Sequence, residues 1–235
     1  MSTLSVVATP IGNMDDITLR ALKVLSACDI ILCEDTRTTK HLLDRHMLSK
    51  PTMSYHAHSK ISRVAEIIEM LKDGKHLALV SDAGTPGISD PGAELVSNIR
   101  TECANEIANG EIKIESIPGP SALLAGLSIA GVPCADFTFL GFLPHKKGRE
   151  TLFREISASE RTMVFYESPH RIMKTLESLV EHLNGVLPGK NVSVCRELTK
   201  IFEEVVAGSA KEVMNYFEIN KDKVRGEFVV IVSEA

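Results

Sequence analysis

Apolar residues follow two alternating rhythms along the chain. Residues 4–8, 29–33, 77–81 and 113–117 are short aliphatic, β-branched runs, the pattern of strands buried on both faces. Between them the spacing widens to three and four. Ile61, Val64, Ile67, Ile68 and Leu71 share one face of a helix expected over 61–72, and helices are also expected over 18–27, 36–46, 91–99 and 121–130. The last is rich in small residues and is ended by Gly131 and Pro133. Strand–helix alternation of this kind predicts an α/β domain with a largely parallel, buried sheet.

Beyond residue 135 the pattern changes. Strands expected at 137–140, 162–166, 192–196, 203–207 and 228–232 are interrupted by helices over 148–156, 171–183 and 209–217. No helix separates 192–196 from 203–207, which predicts an antiparallel pair and a mixed sheet. The expectation is two α/β domains, 1–134 and 135–235, joined through the turn-rich stretch 130–136.

Composition narrows the class. With 235 residues, 44% of them hydrophobic and 24% charged, the chain can build two modest cores, and disorder is excluded. Net charge is −5; residues 1–116 carry 12 basic and 16 acidic side chains, the remainder 14 and 15. Neither half is a polycationic arm. The dense basic run is Leu143-Pro144-His145-Lys146-Lys147-Gly148-Arg149, followed by Arg154, either a solvated loop or a contact to RNA phosphates. No run approaches the roughly 18 apolar residues of a membrane span, and the first residues lack a basic leader. Cys28, Cys33, Cys103, Cys134 and Cys195 form no CxxC pair and read as buried thiols of a reducing cytoplasm.

Three Gly/Pro-rich loops follow expected strands: Thr9-Pro10-Ile11-Gly12-Asn13, Ser81-Asp82-Ala83-Gly84-Thr85-Pro86-Gly87 and Pro118-Gly119-Pro120-Ser121. Strand C-terminal ends are where open α/β sheets bind ligands. None of the loops is GxGxxG or a P-loop, and their prolines remove N–H donors that phosphate would need. A nucleoside without a phosphate chain is therefore expected. Glu34-Asp35-Thr36-Arg37 opens a helix, with Asp35 or Thr36 as its cap and Glu34 or Arg37 left for function. His56-Ala57-His58 turns two imidazoles to one face if extended, but without a third ligand no metal is expected. Ser121 suits a helix cap better than a nucleophile, since GxSxG is absent around it.

Together with Ser81–Gly92 as a whole, these loops and the 34–37 segment resemble first-domain motifs of the tetrapyrrole methylase superfamily. Phe165-Tyr166-Glu167-Ser168-Pro169-His170-Arg171, Arg196-Glu197-Leu198-Thr199-Lys200 and Gly226-Glu227-Phe228-Val229-Val230 resemble its second domain in the same order. The branch most resembled 2′-O-methylates small-subunit ribosomal RNA. The resemblance implies two α/β domains with S-adenosylmethionine in the cleft between them, and a homodimer. It further implies 2′-O-methylation of a cytidine in the decoding region of 16S rRNA, offered free or within the 30S subunit. Carried over, Pro10, Ile11 and Gly12 line one side of the cofactor, and Asp82, Gly84 and Thr85 meet its methionine part or ribose. Ser121 and Ala122 lie beside it, and Tyr166, Arg196 and Glu227 come from the second domain.

A ribose hydroxyl is a poor nucleophile while protonated. Glu34, Asp35, His58 and Lys200 are the candidates for proton handling, with Arg37 orienting them or a phosphate, and the sequence does not rank them. Two departures from the resemblance stand out: Met14 replaces a more usual leucine, and the sequence stops at Ala235 where many members carry a small further extension; if that extension helps hold RNA, other surfaces must serve here. A methylase of tetrapyrroles or of a modified histidine, or a nucleoside-sensing regulator, would share the cofactor loops. The 34–37 and 81–92 motifs favour the RNA branch.

Overall fold

The computed structural model describes residues 1–56, 61–187 and 189–235. They form two compact units, Met1–Ser121 and Ala122–Ala235. The first unit runs β1 (Ser2–Val7), α1 (Leu19–Ala27), β2 (Ile30–Cys33), α2 (Thr36–Arg45), β3 (Thr52–Ser54), α3 (Ile61–Lys72), β4 (His76–Val80), α4 (Gly92–Glu102), α5 (Ala104–Ala108) and β5 (Ile112–Ile117). Its strands are all parallel, in the order β3-β2-β4-β1-β5.

The helices α1 and α2 pack on one face of this sheet and α3 and α4 on the other, as right-handed crossovers in this strand order require. The two cores agree. Val7, Ile31, Ala78 and Val80 pack with Leu25 and Leu42, while Leu4, Leu32, Leu77 and Leu79 pack with Ile67, Leu71 and Leu95. Successive residues of β4 thus enter opposite cores, so the strand reads as a continuous apolar run. Side chains start the helices: Thr18 accepts from the Ala21 N–H ahead of α1, and Asp35 from the Arg37 N–H ahead of α2. The chain leaves β1 toward β2 but leaves β4 toward β5. These neighbouring strands therefore send their following helices, α1 and α4, to opposite faces of the sheet, the arrangement at which open α/β sheets place ligand-binding loops.

The second unit runs α6 (Ala122–Ala130), β6 (Phe137–Phe142), α7 (Arg149–Ala158), β7 (Thr162–Glu167), α8 (Ile172–Leu183), β8 (Lys190–Arg196), β9 (Glu204–Gly208), α9 (Ala210–Ile219) and β10 (Phe228–Glu234). Its sheet has the order β6-β7-β10-β8-β9; β6 and β7 are parallel and the remaining pairs antiparallel. Phe153, Phe165, Leu176, Phe217, Phe228 and Val230 form its core. The units divide ahead of α6, whereas the turn at 130–136 pointed to residue 134. The reason is packing. A Cβ on Gly126 would lie 3.0 Å from Val229 Cγ1, so α6 rests directly on β10.

Four cysteines are buried and Cys134 is exposed. Burial pushes the thiol of Cys28 up to about 11 and that of Cys195 up to about 12, and it raises Cys33 and Cys103 as well. Among the described residues no helix is long and apolar enough to cross a membrane.

Candidate functional site

The loops that follow β1, β4 and β5 meet at one end of the first unit's sheet. The Thr9 N–H donates to the Gly84 carbonyl at 2.9 Å, and the Gly84 N–H returns a bond to the Thr9 carbonyl at 3.1 Å. The Thr9 hydroxyl donates to the Ser81 carbonyl at 3.0 Å, and the Ser81 hydroxyl to the Gly84 carbonyl at 3.0 Å. Thr85 Oγ1 donates to the Pro120 carbonyl at 3.1 Å, which ties in the third loop. Gly84 has φ +83°, and a Cβ there would meet Ile11 Cγ2 at 3.4 Å and the Pro120 oxygen at 3.7 Å. The Cβ would make ordinary contacts there, so it is the positive φ that favours glycine at this turn. Asp90 shapes the far end of the second loop: its carboxylate accepts from the Gly87 N–H at 2.8 Å and the Gly92 N–H at 2.7 Å.

The segment after β2 joins them. The Asp35 N–H donates to Asp82 Oδ1 at 3.1 Å. Asp35 caps α2 and also takes the Arg37 guanidinium at 2.6 Å, which holds its carboxyl down at about 2. That carboxylate is too weak a base, and too fully engaged, to accept a proton near neutrality. Glu34 behaves oppositely. Its carboxyl is raised, chiefly by desolvation and then by the charges of Asp82 and Asp90, with His56 opposing. Arg37 is 90% exposed and also lines a shallow pocket of about 280 Å³ with Lys40, Asp44 and Lys50.

Pro10, Ile11, Gly12, Asp82, Gly84 and Thr85 thus belong to one knitted cluster, with Glu34, Asp35 and Arg37 beside it. Ile11, Gly12 and Asp82 keep accessible surface while Pro10 and Gly84 are buried. The rim carries the carboxylates of Asp82, Asp35 and Glu34 on a backbone-built wall. Those acceptors fit a cofactor with cationic and ribose groups, from which carboxylates can accept hydrogen bonds. Asp90 was missed in the sequence, although an acidic residue two positions ahead of a helix is a recognisable start signal.

In the second unit, Tyr166 Oη accepts from the Leu123 N–H at 3.1 Å, which fixes the start of α6 on β7. Arg196 is buried and paired with Glu204 Oε2 at 3.3 Å while donating to the Phe202 carbonyl at 3.2 Å. Its guanidinium therefore holds the turn between β8 and β9. Lys200 pairs with Glu197 at 2.9 Å, and Glu227 is exposed. His58 lies outside the described residues.

Arg149 departs from its expected place among the solvated cations of the basic run. Its side chain is 17% exposed, and Nη2 donates to Thr175 Oγ1 at 2.7 Å. Thr175 in turn donates to Glu167 Oε2 at 2.6 Å. Glu167 is fully buried and also accepts from Arg171 Nε at 3.0 Å and from the Ser168 N–H at 2.9 Å. Sequence reasoning met Glu167 only as part of the 165–171 motif and did not single out Thr175, because a strand-end carboxylate and a mid-helix threonine carry no local signal of burial.

A chain with this parallel sheet, mixed sheet and stitched loops has known counterparts. It matches the family Tetrapyrrole (Corrin/Porphyrin) Methylases over residues 3–214 and belongs to that family. Among its relatives is Ribosomal RNA small subunit methyltransferase I of Thermotoga maritima, 42% identical over 233 residues that cover 99% of both chains. The protein of the same name from Bacillus subtilis is 41% identical, covering 99% of this chain and 75% of that one. Uroporphyrin-III C-methyl transferase from Thermus thermophilus, solved with S-adenyl homocysteine, shares the fold. Its TM-score is 0.62 at 18% identity, with 100% of this chain and 98% of that chain covered.

Proposed function

We propose that this chain is an S-adenosylmethionine-dependent methyltransferase that 2′-O-methylates a cytidine in the decoding region of 16S rRNA. The observation that carries this reading is the full-length identity, 42% over 99% of both chains, to a ribosomal RNA small subunit methyltransferase I. S-adenosylmethionine supplies a methyl group activated on a sulfonium. On this reading the stitched loops hold the cofactor through Pro10, Ile11, Gly12, Asp82, Gly84 and Thr85. Ser121, Ala122, Tyr166, Arg196 and Glu227 stand as further proposed contacts.

Glu34 takes the proton from the ribose 2′-hydroxyl on its carboxylate. Its raised affinity for a proton supports that role. Asp35, locked to Arg37, orients the segment and presents the guanidinium. Holding acceptor and cofactor in line supplies much of the rate. The enzyme works in the cytoplasm as a homodimer, which light scattering on the purified chain would check.

Methyl transfer from tritiated S-adenosylmethionine to 30S subunits lacking the modification tests the reading, with primer extension locating the product. One ribose methyl in the decoding region is expected. Cofactor binding without any transfer to subunits or rRNA would overturn it.

A further inference from the structure

The charges buried around Glu167 do not balance. Its carboxylate faces two guanidiniums, Arg171 at 3.0 Å and Arg149 at 3.9 Å, whose side chains are 16% and 17% exposed. The neighbouring Glu150 does not make up the difference, since it is exposed and engaged by His182 at 2.9 Å and Arg154 at 3.5 Å. Arg149 also lies over the Phe153 ring at 4.9 Å. Burial and the second arginine both push its charge out, and Glu167 alone opposes them.

Both guanidiniums reach the loop that leads from β6 to α7. Arg171 Nη2 donates to the Leu143 carbonyl at 2.6 Å, and Arg149 Nη1 to the Pro144 carbonyl at 3.3 Å. Arg149 is itself the end of that loop, so residues 143–149 are closed at both ends on one buried carboxylate. Between the anchors stand His145, Lys146 and Lys147, exposed and without an ion pair among the described residues. A loop anchored at both ends, with two exposed lysines beside a partly buried surplus cation, presents positive charge outward and complements an anion.

We propose that Glu167, Thr175 and Arg171 are positioning residues that hold Arg149 and the 143–149 loop as a preset clamp for RNA backbone phosphate, which Lys146 and Lys147 contact directly. The proposal rests on the RNA-methyltransferase reading and names the part of the chain that takes the RNA backbone. Thr175 is the pivot, because its one hydroxyl donates to Glu167 and accepts from Arg149. Thr175→Val keeps the shape and deletes both bonds, whereas Thr175→Ser keeps the hydroxyl.

The test is methyl transfer to unmodified 30S subunits at varied subunit concentration, together with subunit binding across 50 to 200 mM salt, roughly the range over which phosphate contacts weaken strongly. For the surface variant Lys146→Ala/Lys147→Ala we expect KM for subunits to rise about tenfold and the salt slope to fall by about two contacts. Its kcat and its affinity for S-adenosylmethionine should hold. Thr175→Val should shift KM and slope in the same sense, and Thr175→Ser should restore both. An unchanged KM and slope in the lysine pair variant overturns the clamp, whether or not Thr175→Val folds. A Thr175→Val enzyme that melts lower yet keeps the parental KM and slope assigns the network to stability alone. Absence of transfer by the unsubstituted chain overturns the RNA reading and the clamp together; a working parent with unaffected variants overturns the clamp only.

Discussion

Glu34 and Asp35 are adjacent carboxylates with opposite tendencies, and the difference lies in their partners. Asp35 is tied to Arg37 and to a helix N-terminus, while Glu34 meets desolvation and two further acids. A proton acceptor works only when ionised, so the rate should fall as pH drops through a value above glutamate's ordinary 4.5. Glu34→Gln should remove that limb and lower kcat by about 10²- to 10⁴-fold, with S-adenosylmethionine affinity, read by calorimetry, preserved. Asp35 carries the reverse sign. Its carboxyl falls from 3.8 to about 2 on folding, so its contribution is whole above pH 3.8 and is lost as pH falls toward 2. Asp35→Asn should flatten the Tm–pH curve across that interval, by a small amount because the pair stands in solvent.

At the scale of elements, closeness of approach decides. Gly126 sets α6 against β10, and Gly126→Val would force branched carbons into Val229. The expected cost is about 1–3 kcal/mol, read as a lower urea midpoint at unchanged slope. The longer elements were legible in the sequence because their rhythm follows burial: α3 shows its apolar face, and β4 shows a continuous run since both its faces enter cores. β3 and α5, with three and five residues, are too short to show any period and were missed. The Gly131–Pro133 turn marks the end of α6, whereas what α6 packs on is not written locally. The site divides similarly. Gly and Pro announced the loops, but the Thr9–Gly84 stitch joins backbones far apart in sequence and needed the fold. The burial of Arg149 was likewise hidden inside an apparently solvated basic run.

For the molecule as a whole, a net charge of −5 is the setting in which any RNA contact must work. Long-range attraction to polyanions is weak for such a chain, and recognition has to come from local cations on a shaped surface. Filter binding should therefore show little retention of an unrelated RNA at about 0.15 M salt, a range where screening is already strong, while 30S subunits lacking the methyl remain bound. Retention of both alike would contradict this. The thiols have a separate practical consequence. Four are buried and protonated far above neutrality or raised toward that state, and only Cys134 meets solvent. Maleimide attack requires an accessible thiolate, so the unaltered sequence already offers a single attachment point. A fluorophore at Cys134 would report docking onto ribosomal subunits by anisotropy without a single engineered substitution.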